Sequence, residues 1–177
     1  MHLFKSTLLA GLVGLLGPMA ACDKKNPEAP AGANDGATAA APAAPTAAPT
    51  GDAAIVQGYD DVRAALADDD LARTKTLATA LKSAVAAAGP EAAPMTAGLD
   101  AIVAAAEIEA ARDAFGTFSE AYIKFLGARP ALKEGLVAFR CPMARGYKKW
   151  VQRDQKMMNP YMGKAMLECG GPTDLVP

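Results

Sequence analysis

From Asp52 onward, large apolar side chains return every three or four positions with polar residues between them. Ile55, Tyr59, Val62 and Leu66 form one such stripe, and Leu71, Ala78, Leu81 and Val85 a second. Met95, Leu99, Ile102 and Ala106 form a third, which can run straight on into a fourth carrying Ile108, Phe115, Phe118, Tyr122 and Leu126. A recurrence near 3.6 residues predicts amphipathic helices. Asp68-Asp69-Asp70 interrupts the first two and supplies a cap for the second. A cation site fits this triplet less well, because three adjacent side chains do not converge on one point. Gly89-Pro90 is a helix stop, and Gly127 to Pro130 ends the fourth stripe. Four stripes must bury against one another, so the predicted fold is mainly α. It is a small antiparallel helical bundle followed by a C-terminal segment with a short extended stretch and two short helices. Leu136 to Phe139 is the extended stretch. One short helix carries Tyr147, Trp150 and Val151 on an apolar face, with Arg145, Lys148, Lys149, Arg153 and Lys156 around it. The other lies between Asn159, a good N-cap, and Gly170, a good terminator.

The chain before Asp52 shows no such periodicity. Lys5 opens it, Leu8 to Leu16 is an apolar run too short to span a bilayer comfortably, and Gly17-Pro18 breaks it. Met19-Ala20-Ala21-Cys22 then resembles a lipobox, in which the cysteine receives diacylglycerol. Residues 1–21 are accordingly expected to be a lipoprotein signal peptide. Residues 22–51 read as the lipidated Cys22 and a disordered Ala/Pro-rich tether, and 52–177 as a helical periplasmic domain. The tether has almost no large apolar side chain to offset the entropy of ordering it. It would reach on the order of 30 Å as a coil and about 80 Å as polyproline II. The expected location is the periplasmic side of the cell envelope, held to the membrane by the anchor. Asp23 resembles the inner-membrane retention mark of enteric bacteria, a rule that does not hold in every lineage, so inner and outer membrane both stay open.

Composition narrows the function. A net charge of −1 gives no basic excess for nucleic acid. The single histidine is His2, inside the expected leader, so the mature chain would have no histidine for acid–base chemistry or metal ligation. No nucleophile–base arrangement, phosphate loop or paired-carboxylate spacing appears, and Ser119 lies on a helix face as a structural residue would. No catalytic residue is assigned, and the chain is not expected to be an enzyme.

The last third carries the candidate chemistry. Cys141-Pro142-Met143-Ala144, Trp150, Asn159-Pro160-Tyr161-Met162-Gly163, and Met166 with Cys169-Gly170 together resemble a bacterial periplasmic domain of unknown function. That domain occurs alone in exported proteins and as a C-terminal module of copper/silver efflux adaptor proteins. Ala65-Leu66, Asp69-Asp70, Arg112, Phe115 and Ser119 fit it as well, so the resemblance covers most of 59–170. Met162 stands where that family usually has an aromatic residue.

Two readings follow from the residues themselves. A helix from Asn159 would put Met162, Met166 and Cys169 on one face, while Cys141 and Met143 share a side of extended chain. If these pieces meet, the sulfurs form a soft set suited to Cu(I) or Ag(I). Alternatively, Cys141 and Cys169 are the only cysteines left beyond Cys22, and in an oxidising compartment they would pair as a disulfide. The methionines would then merely fill space around Trp150. The resemblance tilts the balance toward metal. It points to copper as the cofactor and to a metal efflux adaptor or another envelope protein as partner; the ligands expected from the residues' own spacing are Cys141, Met143, Met166 and Cys169, with Met162 as a further ligand particular to this chain. The alternative is a non-catalytic envelope interaction module stapled by a Cys141–Cys169 disulfide.

Overall fold

The computed structural model describes residues 49–175; the expected leader, Cys22 and most of the tether lie outside them. Four helices come first: α1 (Asp52–Ala67), α2 (Leu71–Ala87), α3 (Met95–Ala104) and α4 (Ile108–Gly127). Each packs on the next in sequence, and α4 returns to α1, which closes a four-helix bundle. The expected stripes face inward except for Ala106, which lies past α3 and is exposed. Ile55, Val62, Leu66, Ala78, Leu99, Ile102, Phe115, Phe118 and Leu126 are fully buried. At the centre Tyr59 stacks on Tyr122, ring centroids 3.8 Å apart, with Phe115 and Phe118 tilted against it.

The acidic triplet divides its labour. Asp70 caps α2, its carboxylate accepting from the Arg73 N–H at 2.9 Å. Asp69 takes the left-handed conformation (φ 59°) that a short polar side chain tolerates, and this turns the chain from α1 into α2. Asp68 forms an exposed ion pair with Arg73.

α3 and α4 are separate helices, where the sequence allowed one. The chain turns extended at Ala105 (ψ 131°), and the Lys75 ammonium donates to the Ala105 carbonyl at 2.9 Å. Ala104, Ala105, Ala106 and Glu107 are all strong helix formers, so nothing local marks this break. It is imposed by packing: α3 must fold back on α4, and it does so very closely. A Cβ on Gly98 would sit 2.5 Å from the Phe118 backbone nitrogen, so only glycine fits there.

Beyond α4 a short 3₁₀ turn (Pro130–Lys133) leads into a three-stranded antiparallel sheet. Its strands are β1 (Val137–Arg140), β2 (Lys149–Gln152) and β3 (Gly171–Thr173), with β1 in the middle. Phe139 faces Trp150 across β1 and β2, and their rings stack at 5.5 Å. The expected amphipathic helix around Trp150 is therefore a strand. Lys149 to Gln152 alternates poorly for a half-exposed strand because three of its four residues are buried. Sheet pairing with β1, absent from any local pattern, decides the conformation.

The expected helix from Asn159 to Gly170 reduces to turns and a 3₁₀ turn (Gly163–Ala165). Gly163 adopts φ 56°, which takes the chain out of a right-handed helix. A mainly helical bundle followed by a C-terminal lobe of short strands and 3₁₀ turns is thus the architecture. Among the described residues no helix is long and apolar enough to cross a membrane.

Candidate functional site

The C-terminal lobe is assembled by polar side chains reaching backbone. Asn159, fully buried, is its organiser. Its amide oxygen accepts from the N–H groups of Tyr161 (2.8 Å) and Met162 (3.2 Å), fixing the Asn-Pro-Tyr-Met-Gly turn. Its amide nitrogen donates to the Cys169 carbonyl at 2.5 Å, and its backbone N–H to the Leu167 carbonyl at 2.8 Å. The turn is thereby tied to the cysteine that closes the segment. A buried amide with all three of these bonds made is stabilising; left unpaired it would cost about 1–3 kcal/mol per group.

That arrangement delivers Cys169 to Cys141. The two Sγ atoms lie 3.4 Å apart, Cys141 buried at the end of β1 and Cys169 half-buried, both as free thiols. The hydrogen bond that the Cys169 S–H donates to Cys141, together with burial, pushes the Cys169 thiol above its usual pKa. The Cys169 thiol is thereby favoured over the thiolate that a soft metal would need.

The methionines expected beside them are elsewhere. Met143 is 60% exposed and Met166 37% exposed. Met143 and Met162 line an open cleft of about 740 Å³ together with Asp69, Glu109, Arg112 and Arg145, and neither cysteine borders it. The copper expectation does not hold. Among the described residues no group of three or more His, Cys, Asp or Glu could hold a metal ion. The physical reason is the lost helix, which was to place Met162, Met166 and Cys169 on one face; the sulfur contact the fold does make is the Cys141–Cys169 pair.

Arg112 fastens the lobe to the bundle. It is buried on α4, and its Nε donates to the Pro160 carbonyl at 3.2 Å. Its Nη2 pairs with Asp69 and reaches the Leu66 carbonyl at 3.4 Å, while Nη1 forks onto Glu109 at 3.0 and 3.1 Å. Gly163 lies directly over this ion pair, and a Cβ there would overlap both Asp69 Oδ1 and Arg112 Nη2. The glycine of the Asn-Pro-Tyr-Met-Gly motif is required by this close approach as much as by its positive φ.

The outer edge of β2 is finished by hydroxyls. Ser119 Oγ and Tyr161 OH both donate to the Lys149 carbonyl, at 2.9 and 2.8 Å. The Val151 N–H donates to Tyr59 OH at 3.3 Å, and Tyr59 OH shares a 2.7 Å hydrogen bond with Ser119. These side chains supply the partners a missing strand would have given. Burial raises the Tyr59 and Tyr161 hydroxyls well above the usual tyrosine range. Ser119, Tyr59, Tyr161 and Arg112 are thus all engaged by the fold.

Gln152, which sequence reasoning passed over, holds the loop after β2. Its Oε1 accepts from Trp150 Nε1 at 3.0 Å and from the Met158 N–H at 3.2 Å. Its Nε2 donates to the carbonyls of Asp154 and Lys156, each at 2.7 Å. No sequence signal separates such a glutamine from an exposed one.

No family model matches the chain, and no curated protein or solved structure matches it either.

Proposed function

We propose that this is an exported, lipid-anchored envelope protein whose helical domain docks on another envelope component and carries out no chemistry. In this reading Cys22 bears the anchor, and Cys141 and Cys169 are joined as a structural disulfide in the oxidising envelope. An efflux adaptor or another envelope protein is the partner that the motif resemblance suggests.

The observation that carries the proposal is the meeting of the two thiols. The two cysteines remaining after Cys22 sit 28 positions apart, and their Sγ atoms are in contact at 3.4 Å. Closing that loop would stabilise the domain by about 3–4 kcal/mol on the chain-entropy model. Supporting it, the polar groups most capable of catalysis are consumed as fasteners of the lobe.

Thiol alkylation of protein taken directly from the envelope tests this. Neither Cys141 nor Cys169 should react before reduction, and both should react after it. Reduction should lower the unfolding free energy by about 3 kcal/mol. Two thiols that label fully without reductant would overturn the disulfide and the stapled module with it.

A further inference from the structure

The charges of the described domain are unevenly divided. Between Asp52 and Phe139 the chain carries thirteen acidic and eight basic residues, whereas between Arg140 and Leu175 it carries seven basic residues and three acids, Asp154, Glu168 and Asp174, of which Glu168 is exposed beside Met166. The exposed large apolar side chains among the described residues, Met143 and Met166, fall in this same basic stretch.

Several of these residues are brought together around the Cys-Pro-Met-Ala turn. Arg140 and Pro142 line one depression beside Gly170, and Lys148 reaches the Pro142 carbonyl at 3.0 Å. Met143 and Arg145 share a cleft wall with Met162 and Ala165, and Lys164 and Met166 flank Ala165. Arg145 is 75% exposed and makes only a 3.5 Å contact with Asp113. Arg140 and Lys164 form no ion pair among the described residues. Asp69, Glu109 and Asp113 line the same cleft, where Arg112 pairs with Asp69 and Glu109 and Arg145 with Asp113. Arg153 and Lys156 lie past the other end of β2 and stand apart from this group.

We propose that the face bearing Arg140, Met143, Arg145, Lys148, Lys164 and Met166 docks on an anionic phospholipid surface. This deepens the docking reading above and rests on its lipid anchor. Basic side chains interleaved with flexible, exposed apolar ones suit a headgroup layer, where each cation near an anionic surface contributes and each thioether can enter the interface. The acidic bundle is repelled by the same surface, so the domain has one favoured orientation, lobe down.

The anchor makes a weak attraction sufficient, because it holds lipid at high effective concentration. Reach does not forbid it. Asp52, where the domain begins, pairs with Arg129 at the far end of α4, and Arg145 pairs with Asp113 near its start. That separation is about 24 Å along the helix, within the roughly 30 Å span expected of the tether as a coil.

The test uses the full chain with Cys22→Ser, so that no lipid is attached, and sedimentation with two kinds of vesicle. Pure phosphatidylcholine vesicles read the apolar leader, which is common to every variant. Vesicles with 30% phosphatidylglycerol add the anionic surface. Binding should be stronger on the anionic vesicles and should weaken as salt rises. Arg140→Glu with Arg145→Glu should lose at least tenfold of that excess. Arg153→Glu with Lys156→Glu, the same change in net charge placed elsewhere, should keep most of it. Equal losses in the two double variants, or no preference for anionic vesicles, would overturn the proposal, and the face would then be sought as a protein-docking surface. Thiol counts on the same preparations report the disulfide separately, so loss of vesicle binding and loss of the stapled module are distinguishable.

Discussion

The helical bundle and the C-terminal lobe are stabilised in different ways. In the bundle, four helices bury apolar stripes and an aromatic centre, and the backbone is satisfied within each helix. In the lobe, strands of three and four residues and a few turns could not hold themselves together. They are held by Asn159, Gln152, Arg112 and three hydroxyls, each bonded to backbone of another segment. Apolar packing tolerates substitution by degrees, since a slightly wrong shape loses a fraction of the contact. A polar fastener fails as a unit, because each group it releases is left buried and unpaired. The lobe should therefore be the brittle part of this molecule.

Arg112→Ala separates the two regions most strongly. It strands the Pro160 carbonyl, removes one of the partners of the Leu66 carbonyl and leaves the half-exposed Asp69 without its cation, so a loss of about 2–3 kcal/mol is expected. Near-UV circular dichroism of Trp150 should fall while far-UV helicity persists. Equal loss of both signals would mean that the bundle depends on the lobe as much as the lobe depends on it.

Alkaline titration distinguishes the regions next. Tyr59, Tyr122 and Tyr161 have folded pKa values above the usual range, chiefly through burial. The unfolded chain releases these protons from about pH 10 upward while the folded chain retains them. Stability is therefore full below that pH and falls as pH rises beyond it. Tyr161→Phe should lessen the fall, measured by urea unfolding between pH 8 and pH 11.

The smallest effect separates two stacked rings. Tyr59→Phe removes the hydroxyl shared by Ser119 and the Val151 N–H, and should cost about 1–2 kcal/mol. Tyr122 OH is buried with no hydrogen-bond partner among the described residues. Tyr122→Phe should thus be neutral or slightly stabilising, because no bond is lost and an uncompensated polar group is removed. A cost as large as that of Tyr59→Phe would show that Tyr122 has a polar partner.

The four helical stripes, the Asp70 cap, the stop after α2 and the extended run at Val137 were legible in the chain because each is a local property. Periodicity places one face of a helix, and a cap or a glycine acts within its own turn. The candidate site was legible only in part. That Cys141 and Cys169 belong together could be read from their being the two cysteines beyond Cys22, and the structure brings them into contact. The placing of the methionines could not, because it depended on a helix after Asn159 that the fold does not form.

The remaining features follow one physical rule. The break at Ala105, the strand at Trp150 and the left-handed Gly163 each go against or beyond local propensity. Each is fixed by a partner elsewhere in the sequence: the packing of Gly98 on Phe118 with the Lys75 bond for the first, β1 for the second, and the Asp69–Arg112 pair for the third. Local pattern was enough for a four-stripe helical domain and a pair of cysteines able to meet. Long-range hydrogen bonds and ion pairs determined how the last third folds, because its short elements have too little local preference to choose a conformation alone.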